Sequence, residues 1–503
     1  MMGCRQRIEP KLFYADLSLD SRVRADNPLR QIKAASDFDF VRAAVKPLYG
    51  RRGNPSVDPA VLLKLMLLVV LENVRSEREL MARLSERLDW MWFCGYDWDS
   101  RVPNHSVISK ARRRWGVKVF SELFQRVLRQ CLAAGLVDGR TLHVEASVIR
   151  ATADSSGLQP ALGLATGALY DRLEREAEGQ EPSPAVQEEV APPAPGDDPP
   201  PPGTLVSSTD PDARLTRKGG QSILGYKDHR VVDDRCGIIT ATVTSNAATA
   251  EPHVIEEALE QHEQNVGRSP RTVVADKGYG TAEVYQSLAE RGVTPCIPHQ
   301  RHCGGHGVHL YQLQEFQYDA GRDAYRCPQG QRLKRYATRP DGSGRYRAAQ
   351  GVCVACPRRV ACTRAKDGRR LTRFVGQEWI DWADGCYSRE HRRRLGRRRM
   401  YRAEGSFADA ANRHGYKRAR WRGLAGMTIQ NLLIAAAQNL RKLLRACRRK
   451  PAAALASFSL ACHPLTFGGI LRHLRVLTGS RAACRNDLPA LRMSPAGLLA
   501  VLS

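Results

Sequence analysis

The chain has 503 residues, of which 78 are lysine or arginine and 52 are aspartate or glutamate, giving a formal net charge of +26. This length exceeds what one hydrophobic core serves, so two or three domains are expected, and the positive excess indicates a polyanionic partner. The longest apolar run, Val61–Leu71, includes Lys64 and is about half of a membrane span. Neither a membrane protein nor a signal peptide is indicated, so a cytoplasmic protein without a disulfide framework is expected.

Residues 1–137 are predicted to be helical. Asp58 followed by Pro59 is typical of a helix start, and Ser76–Glu79 fits a capping box. A later helix of this region is basic. It carries four candidate DNA-binding residues, Lys110, Arg112, Arg113 and Arg114. This pattern fits a helix-turn-helix-like DNA-binding domain, and it fits an ordinary helical bundle equally well.

The pattern changes after residue 137. Leu142–Ile149 alternates in polarity and predicts a strand with Glu145 in its middle. Residues 174–212 are rich in acidic residues and proline, with four consecutive prolines at Pro199–Pro202. Because this composition cannot bury a core, we expect a disordered insertion.

A strand and helix alternation follows from residue 213 to 299. The predicted elements are strands at Tyr226–Val232 and Gly237–Thr244, a helix at Pro252–Gln264, a strand at Thr272–Val274, a helix at Ala282–Arg291 and a strand at Thr294–Pro298. Asp276 stands at the carboxyl end of the fourth strand, the edge where α/β sheets bind ligands. The order predicts an α/β fold with an RNase H-like core, a mixed five-stranded sheet with helices.

Residues 300–385 are predicted to be an insertion, and four of its five cysteines form a candidate metal site. They are Cys327, Cys353, Cys356 and Cys362. The Cys-x2-Cys pair with two further cysteines suits a tetrahedral Zn²⁺ site, and free or redox-active cysteines are the alternative. Cys303, His306 and His309 form a weaker cluster that loop histidines also explain.

The positive charge is concentrated near the end of the chain. Between Arg389 and Lys450 there are 19 lysines and arginines against 3 acidic residues. Interleaved aromatics, Tyr401, Phe407, Tyr416 and Trp421, favour nucleic acid over a solvated helix face. Residues 386–445 therefore read as a DNA-binding region, with candidate contacts from Arg402, Arg413, Lys417, Arg418 and Arg420. Residues 446–503 form a tail of helical texture and uncertain role.

Seven stretches together resemble a known family. They are Pro47–Gly50, Asn54–Pro59, Val74–Leu80, Pro103–Lys110, Gly225–Arg230, Val274–Gly280 and Ala437–Leu443. In order and spacing they are similar to the DDE transposases of bacterial insertion sequences, which combine a helical N-terminal domain with an interrupted RNase H-like catalytic domain. The resemblance assigns residues 138–173 and 213–299 to that core, and the last catalytic helix to 386–445.

The resemblance also implies a metal site. In the family three carboxylates hold Mg²⁺ or Mn²⁺, and they map here to Glu145, Asp276 and Glu404. Asp154 is the rival of Glu145, and Asp409 is the rival of Glu404. Two positions depart from the family pattern. The first carboxylate is Glu rather than Asp, and Ala411 stands where a basic residue usually contacts DNA phosphate.

The function implied is DNA transposition. Such an enzyme binds the terminal inverted repeats of its insertion sequence as a homo-oligomer on double-stranded DNA, and catalyses metal-dependent cleavage and strand transfer. Two alternatives remain open. One is an impaired or repurposed transposase that acts only as a DNA-binding protein, and the other is a metal-dependent nuclease that cuts without joining.

Overall fold

The computed structural model describes residues 1–3, 18–52, 54–153, 158–160, 205–300 and 310–449. Several predictions fall outside these residues: the alternative ligand Asp154, most of the acidic insertion, the Cys303, His306 and His309 cluster, and residues 450–503.

Seven helices build the described N-terminal region. They are α1 (Leu19–Arg22), α2 (Pro28–Ala35), α3 (Phe40–Val45), α4 (Pro59–Leu71), α5 (Glu77–Leu84), α6 (Leu88–Cys94) and α7 (Ser106–Ala133). Both predicted caps are present. The Asp58 side chain accepts from the Ala60 amide at 3.0 Å, and the Ser76 hydroxyl accepts from the Glu79 amide at 3.1 Å. Capping therefore sets where α4 and α5 begin.

A mixed sheet follows the helices. Its strands are β1 (Thr141–Arg150), β4 (Arg214–Lys218), β5 (Gln221–Asp233), β6 (Ile239–Asn246), β7 (Thr272–Val274) and β8 (Thr294–Cys296), while β2 (Leu158–Pro160) and β3 (Leu205–Ser207) pair separately. Along the sheet the order is β6, β5, β1, β7, β8, with β1 antiparallel to β5 and parallel to β7. Helices α8 (Ile255–Val266) and α9 (Ala282–Glu290) connect β6 to β7 and β7 to β8. This is the predicted RNase H-like order, and the added β4 makes the sheet six-stranded.

A second antiparallel sheet lies between β8 and the C-terminal helices. It contains β9 (Gln317–Asp319), β10 (Ala324–Arg326), β11 (Arg332–Thr338), β12 (Gly344–Arg347) and β13 (Arg370–Arg373), with a short helix α10 (Arg359–Cys362). Four helices follow: α11 (Gln377–Gly385), α12 (Arg389–Arg399), α13 (Gly405–His414) and α14 (Gly423–Arg449). A π-helical turn, Met400–Glu404, joins α12 to α13.

The N-terminal helices do not form a separate unit. One hydrophobic cluster contains residues of α4, α7, α13 and α14 together with β1 and β5, while α8 and α9 pack on the other face of the sheet. Helix α7 is therefore packed within a helical bundle, and a helix-turn-helix-like contact with DNA stays a prediction. Within the described ranges no helix is both long and apolar enough to span a membrane.

The end predicted for the acidic insertion is wrong. Strand β3 lies within residues 174–212, the range predicted for the insertion. Asp210 is fully buried and accepts hydrogen bonds from the Tyr226 hydroxyl and from the Gly423 amide. Asp212 accepts from the Leu424 amide at 2.8 Å. These acids are ordered because they hold the first turn of α14, a role that composition alone does not reveal.

Buried histidines should make the fold acid-labile. Burial is the main reason why the pKa of His229 falls to about 3 and those of His262 and His414 to about 4. Above the ordinary histidine pKa of about 6.5 neither folded nor unfolded chain is protonated there, so stability is unaffected. Below it the unfolded chain binds protons that the folded chain cannot, so stability is lost as the pH falls from about 6.5 towards 4.

We expect each histidine to contribute a slope of up to about 1.4 kcal/mol per pH unit within that window. Urea unfolding at a series of pH values measures the slope. His262→Gln should reduce this slope by the contribution of one histidine. An unfolding free energy that does not change between pH 7 and 5 would contradict the expectation.

Candidate active site

Glu145 lies on the face of the sheet that the C-terminal helices cover. It stands opposite Arg230 in the antiparallel register of β1 and β5. Its side chain is 15% exposed and forms an ion pair with Arg399, the last residue of α12. A carboxylate at this depth needs a cation, and here a guanidinium provides it.

Asp276 follows β7 at the same edge of the sheet. The parallel register of β1 and β7 ends with His143 beside Val274, and Glu145 and Asp276 each follow two residues after that last pair. The Asp276 Oδ1 accepts from the Gly278 amide at 2.8 Å and caps the 3-10 turn Lys277–Tyr279. The turn thus orients the carboxylate that the strand places.

Glu404 ends the π-helical turn between α12 and α13 and is half exposed. Its Oε1 lies 3.3 Å from the Arg399 guanidinium, so Arg399 bridges Glu404 and Glu145. The alternative ligand Asp409 instead pairs with Arg413 at 3.0 Å and accepts from the Gln438 amide at 2.8 Å. The geometry therefore favours Glu404 over Asp409.

The donor chemistry of these carboxylates suits a hard divalent cation. Glu145 and Glu404 already share the Arg399 guanidinium, and Asp276 follows the end of the strand that pairs with β1. In the described part of the chain, however, no group of three His, Cys, Asp or Glu side chains is close enough to hold a metal ion. Arg399 occupies the space between Glu145 and Glu404, so a metal ion requires it to move.

A fourth carboxylate, Glu251, lies beside Asp276 and was not predicted. The Glu251 Oε2 and the Asp276 Oδ1 both lie against Gly278. A Cβ atom at position 278 would collide with these two oxygens. Burial first, and the charge of Asp276 second, raises the pKa of Glu251. Lys227 lies 3.8 Å from Glu251 and donates to the Thr249 carbonyl at 2.8 Å. The only sequence signal was that Glu251 immediately precedes a predicted helix.

Beneath the site is a fully buried ion pair. Arg230 Nε donates to Asp228 at 2.8 Å, and both side chains are 0% exposed. Arg230 also donates to the Gln438 side chain and to the Ser406 carbonyl. Asp228 and its neighbour His229 are both fully buried. They are buried because C-terminal helices cover β5 on one face, while His229 contacts Tyr279 and Ser245 on the other.

The predicted DNA-binding residues divide into two groups. Lys110, Arg113, Arg114, Arg413, Lys417 and Arg418 are exposed, while Arg112, Arg402 and Arg420 are partly buried. Arg112 pairs with Glu77 and stacks on Trp421, Arg402 donates to the Arg235 carbonyl, and Arg420 donates to Val74 and Asn73. The charge of the second group is thus directed inward. A contact with DNA stays a prediction for all nine.

Three of the four aromatic residues predicted to contact nucleic acid are core residues, so the prediction is wrong for these three. Phe407, Tyr416 and Trp421 are at most 7% exposed, and only Tyr401 is open to solvent. Phe407 and Tyr416 pack against the buried Arg230, and Trp421 packs against Arg112. Aromatic residues among arginines here cover buried cations rather than bases.

The four cysteines predicted to bind zinc lie around one cavity. Cys327, Cys353, Cys356 and Cys362 line one cavity between β10, β11 and α10, and each is a free, partly buried thiol.

Two family models match the sequence. One, described as "Transposase domain (DUF772)", covers residues 17–114, and the other, described as "Transposase DDE domain", covers residues 326–444. The two matches support a DDE transposase, and each of them covers less than half of the chain. No curated protein matches the sequence significantly. Of the three predicted carboxylates, Glu404 lies within a matched segment, whereas Glu145 and Asp276 lie between the two.

One similar solved structure is the piggyBac transposase synaptic complex with hairpin DNA, determined by cryo-EM. The match has 8% sequence identity and a TM-score of 0.26, and it covers 87% of this chain and 84% of that chain. A superposition at this score has no weight for the fold. The assignment of this transposase rests on the family models, and DDE transposases act on DNA with divalent metal ions.

Proposed function

We propose that this transposase binds the terminal inverted repeats of its own element, cuts the DNA there and joins the freed 3′ ends to a target. Glu145, Asp276 and Glu404 would hold Mg²⁺ or Mn²⁺. The observation that carries the proposal is the bridge from Arg399 to Glu145 and Glu404, at the sheet edge where Asp276 stands.

The chemistry follows from the charges. When bound, divalent ions supply an activated attacking oxygen and stabilise the charge that develops at the phosphorus. Mg²⁺ keeps water and phosphate among its ligands, so three carboxylates from distant positions suffice. Once released from the carboxylates, the Arg399 guanidinium is a bidentate donor suited to the scissile phosphate.

Two further cations flank this site. Lys417 donates to the Ser147 hydroxyl at 2.8 Å, and Ser147 lies two residues along β1 from Glu145 on the same face. Arg413, the other basic residue near Ala411 in the sequence, is paired with Asp409. We assign the phosphate contact to Lys417, because its ammonium group lies beside the strand that carries Glu145.

Helix α12 is the strongest surface for the DNA backbone. Five of its arginines are exposed: Arg389, Arg393, Arg394, Arg397 and Arg398. The helix ends at Arg399, so a duplex along it would lead directly to the carboxylates. Because two element ends must be held together for joining, the active form is proposed to be a homo-oligomer on DNA.

DNA binding should be steeply salt-dependent. Each neutralised phosphate contributes about −0.9 to the slope of log affinity against log salt. Arg393→Gln and Arg397→Gln together should make the slope shallower by about 2 and weaken binding to all sequences alike. Arg24→Gln, an exposed arginine paired with Asp26 in the N-terminal region, is the control and should change neither. Fluorescence anisotropy over a salt series measures the slope, and a flat response would contradict the assignment.

The length of the first carboxylate side chain should limit the rate. Glu145→Asp withdraws the carboxylate by one C–C bond, about 1.5 Å, from Arg399 towards the backbone of β1. Misplacement on this scale costs on the order of 10²-fold in rate, so cleavage should rise by up to that factor. Asp276→Glu makes the opposite change and should slow cleavage. If Glu145→Asp leaves the rate unchanged or lowers it, the geometric argument fails.

One observation favours the second candidate, a DNA-binding protein without catalysis. Ala411 removes a phosphate contact, and both possible substitutes are engaged within the protein. Such a protein would keep sequence-specific binding and salt dependence but would not cut in Mg²⁺ or Mn²⁺.

Protection of DNA from nuclease digestion tests the proposed specificity. Purified protein should protect matching inverted repeats on both sides of its gene and leave shuffled sequences of the same composition unprotected. Equal protection of both would overturn the assignment to element ends.

A further inference from the structure

We infer that the insertion between β8 and α11 contains a structural zinc site formed by Cys327, Cys353, Cys356 and Cys362. The inference is independent of the proposed function. The four residues come from three separate segments of chain, and their side chains line one cavity of about 30 Å³. A single water needs roughly 10–15 Å³, so the space suits one ion and little else.

The turn at Cys327 places a backbone donor on the sulfur. Between β10 and β11, the Cys327 amide donates to the Gln331 carbonyl at 2.8 Å, and the Cys327 carbonyl accepts from the Gly330 amide at 2.8 Å. This turn directs the Gln331 amide onto the Cys327 Sγ at 3.3 Å. Hydrogen bonds of this kind orient the residues that bind a metal ion.

The other three cysteines are brought in by short turns. The Val354 and Ala355 amides donate to the Gly351 carbonyl, and the Arg359 amide donates to the Cys356 carbonyl. Helix α10 then ends at Cys362. Gly368 has a φ of +96° and leaves no room for a Cβ atom against Cys353. The chain is therefore folded tightly around the thiols, as at a Cys-x2-Cys metal site.

The surroundings match the charge of such a site. Four thiolates around Zn²⁺ carry a net charge of −2, and Arg358, Arg359 and Arg369 line the same cavity. Arg369 donates to the Cys362 and Tyr311 carbonyls, and its Nε is a buried group without a hydrogen-bond partner in the described chain. Four neutral thiols would not need the Arg369 guanidinium beside them, whereas a negatively charged zinc site would.

The insertion also needs a stabilising element. Its own apolar cluster has five buried members, Phe316, Tyr325, Leu333, Tyr346 and Leu371, with Cys327 and Cys362 packed against it. Cores this small rarely stabilise a sheet alone, and a structural metal is one of the common solutions. Zinc would supply folding energy where apolar burial is scarce.

Closure of the site requires the thiols to turn inward. No three cysteines, histidines or acids in the described ranges are grouped closely enough to hold an ion as they stand. Neutral thiols gain nothing from mutual approach, whereas zinc holds each thiolate at about 2.3 Å. Because all four cysteines already line the cavity, side-chain rotation rather than a change of fold completes the site.

Metal analysis of the full chain, purified under reducing conditions without added metal, tests the inference. We expect about one zinc ion per chain in the native protein. Cys386→Ser, whose thiol lies outside the cavity, and Asp276→Asn should keep this zinc. Cys353→Ser and Cys356→Ser should each lose most of it.

A second measurement covers the case in which the cysteine variants fail to fold. Native protein loaded with Co²⁺ should show thiolate-to-cobalt charge-transfer absorption, and a zinc chelator should lower its unfolding midpoint. Absence of zinc and of the cobalt band, zinc retained in both cysteine variants, or disulfides that link these four residues would each overturn the site.

Discussion

Asp276→Asn should abolish DNA cleavage, with a loss on the order of 10³-fold or more. The substitution keeps the size of the side chain and its ability to cap the turn at Lys277–Tyr279, but it removes the negative charge that follows β7. A site that must hold divalent cations loses its central ligand, while the DNA-binding surfaces are untouched. The measurement is the rate of nicking of end-labelled DNA in Mg²⁺ or Mn²⁺.

Two comparisons make this result specific. Affinity for the same DNA should stay within about twofold of the native value, since the substitution removes none of the cations that neutralise phosphates. Glu256→Gln, an exposed acid on α8, is the matched control and should cut at the native rate. If Asp276→Asn cleaves DNA at the native rate, Asp276 does not bind the catalytic metal ions.

Arg230→Met should destabilise the fold by about 3–5 kcal/mol, because it leaves the Asp228 carboxylate buried without its cation. Arg230 and Asp228 are both fully buried, and the Thr242 hydroxyl donates to the same carboxylate at 2.6 Å. The lost hydrogen bonds to Ser406 and Gln438 tie α13 and α14 to β5. Urea unfolding followed by circular dichroism measures the change.

The double variant Asp228→Leu with Arg230→Met shows whether the destabilisation comes from an unpaired buried charge or from lost packing. Removal of both charges should recover most of the stability, since a buried ion pair replaced by apolar groups is often neutral. A loss below about 1 kcal/mol in Arg230→Met, or a double variant less stable than the single one, would show that the pair does not hold the helices on the sheet.

The catalytic core could be predicted from local patterns because each of its strands has a short-range signal. β-branched runs gave β1, β5, β6 and β7, and Asp276 was placed correctly at a strand end. Strand β4 was missed although its signal is present. Gly219 and Gly220 both have positive φ and form the two-residue turn that pairs β4 with β5.

The parts of the site that the sequence did not reveal depend on long-range contacts. Arg399 meets Glu145 across 254 positions of chain, and nothing in a run of arginines distinguishes it from the exposed ones. Arg230 was hidden for the same reason, since its partners on α13 and α14 are some 170–210 residues away. Composition showed that this region is basic, but only packing decides which cations face solvent and which face the carboxylates.

A strand-transfer assay tests the central claim most directly. Purified protein, Mg²⁺ or Mn²⁺, labelled duplexes that end in the flanking inverted repeats, and a supercoiled target plasmid are incubated together, and joined products are resolved on a gel. We predict label covalently joined to the plasmid through the 3′ ends, with none from Asp276→Asn. Sequence-specific binding without cutting, or cut ends that are never joined, would contradict the account.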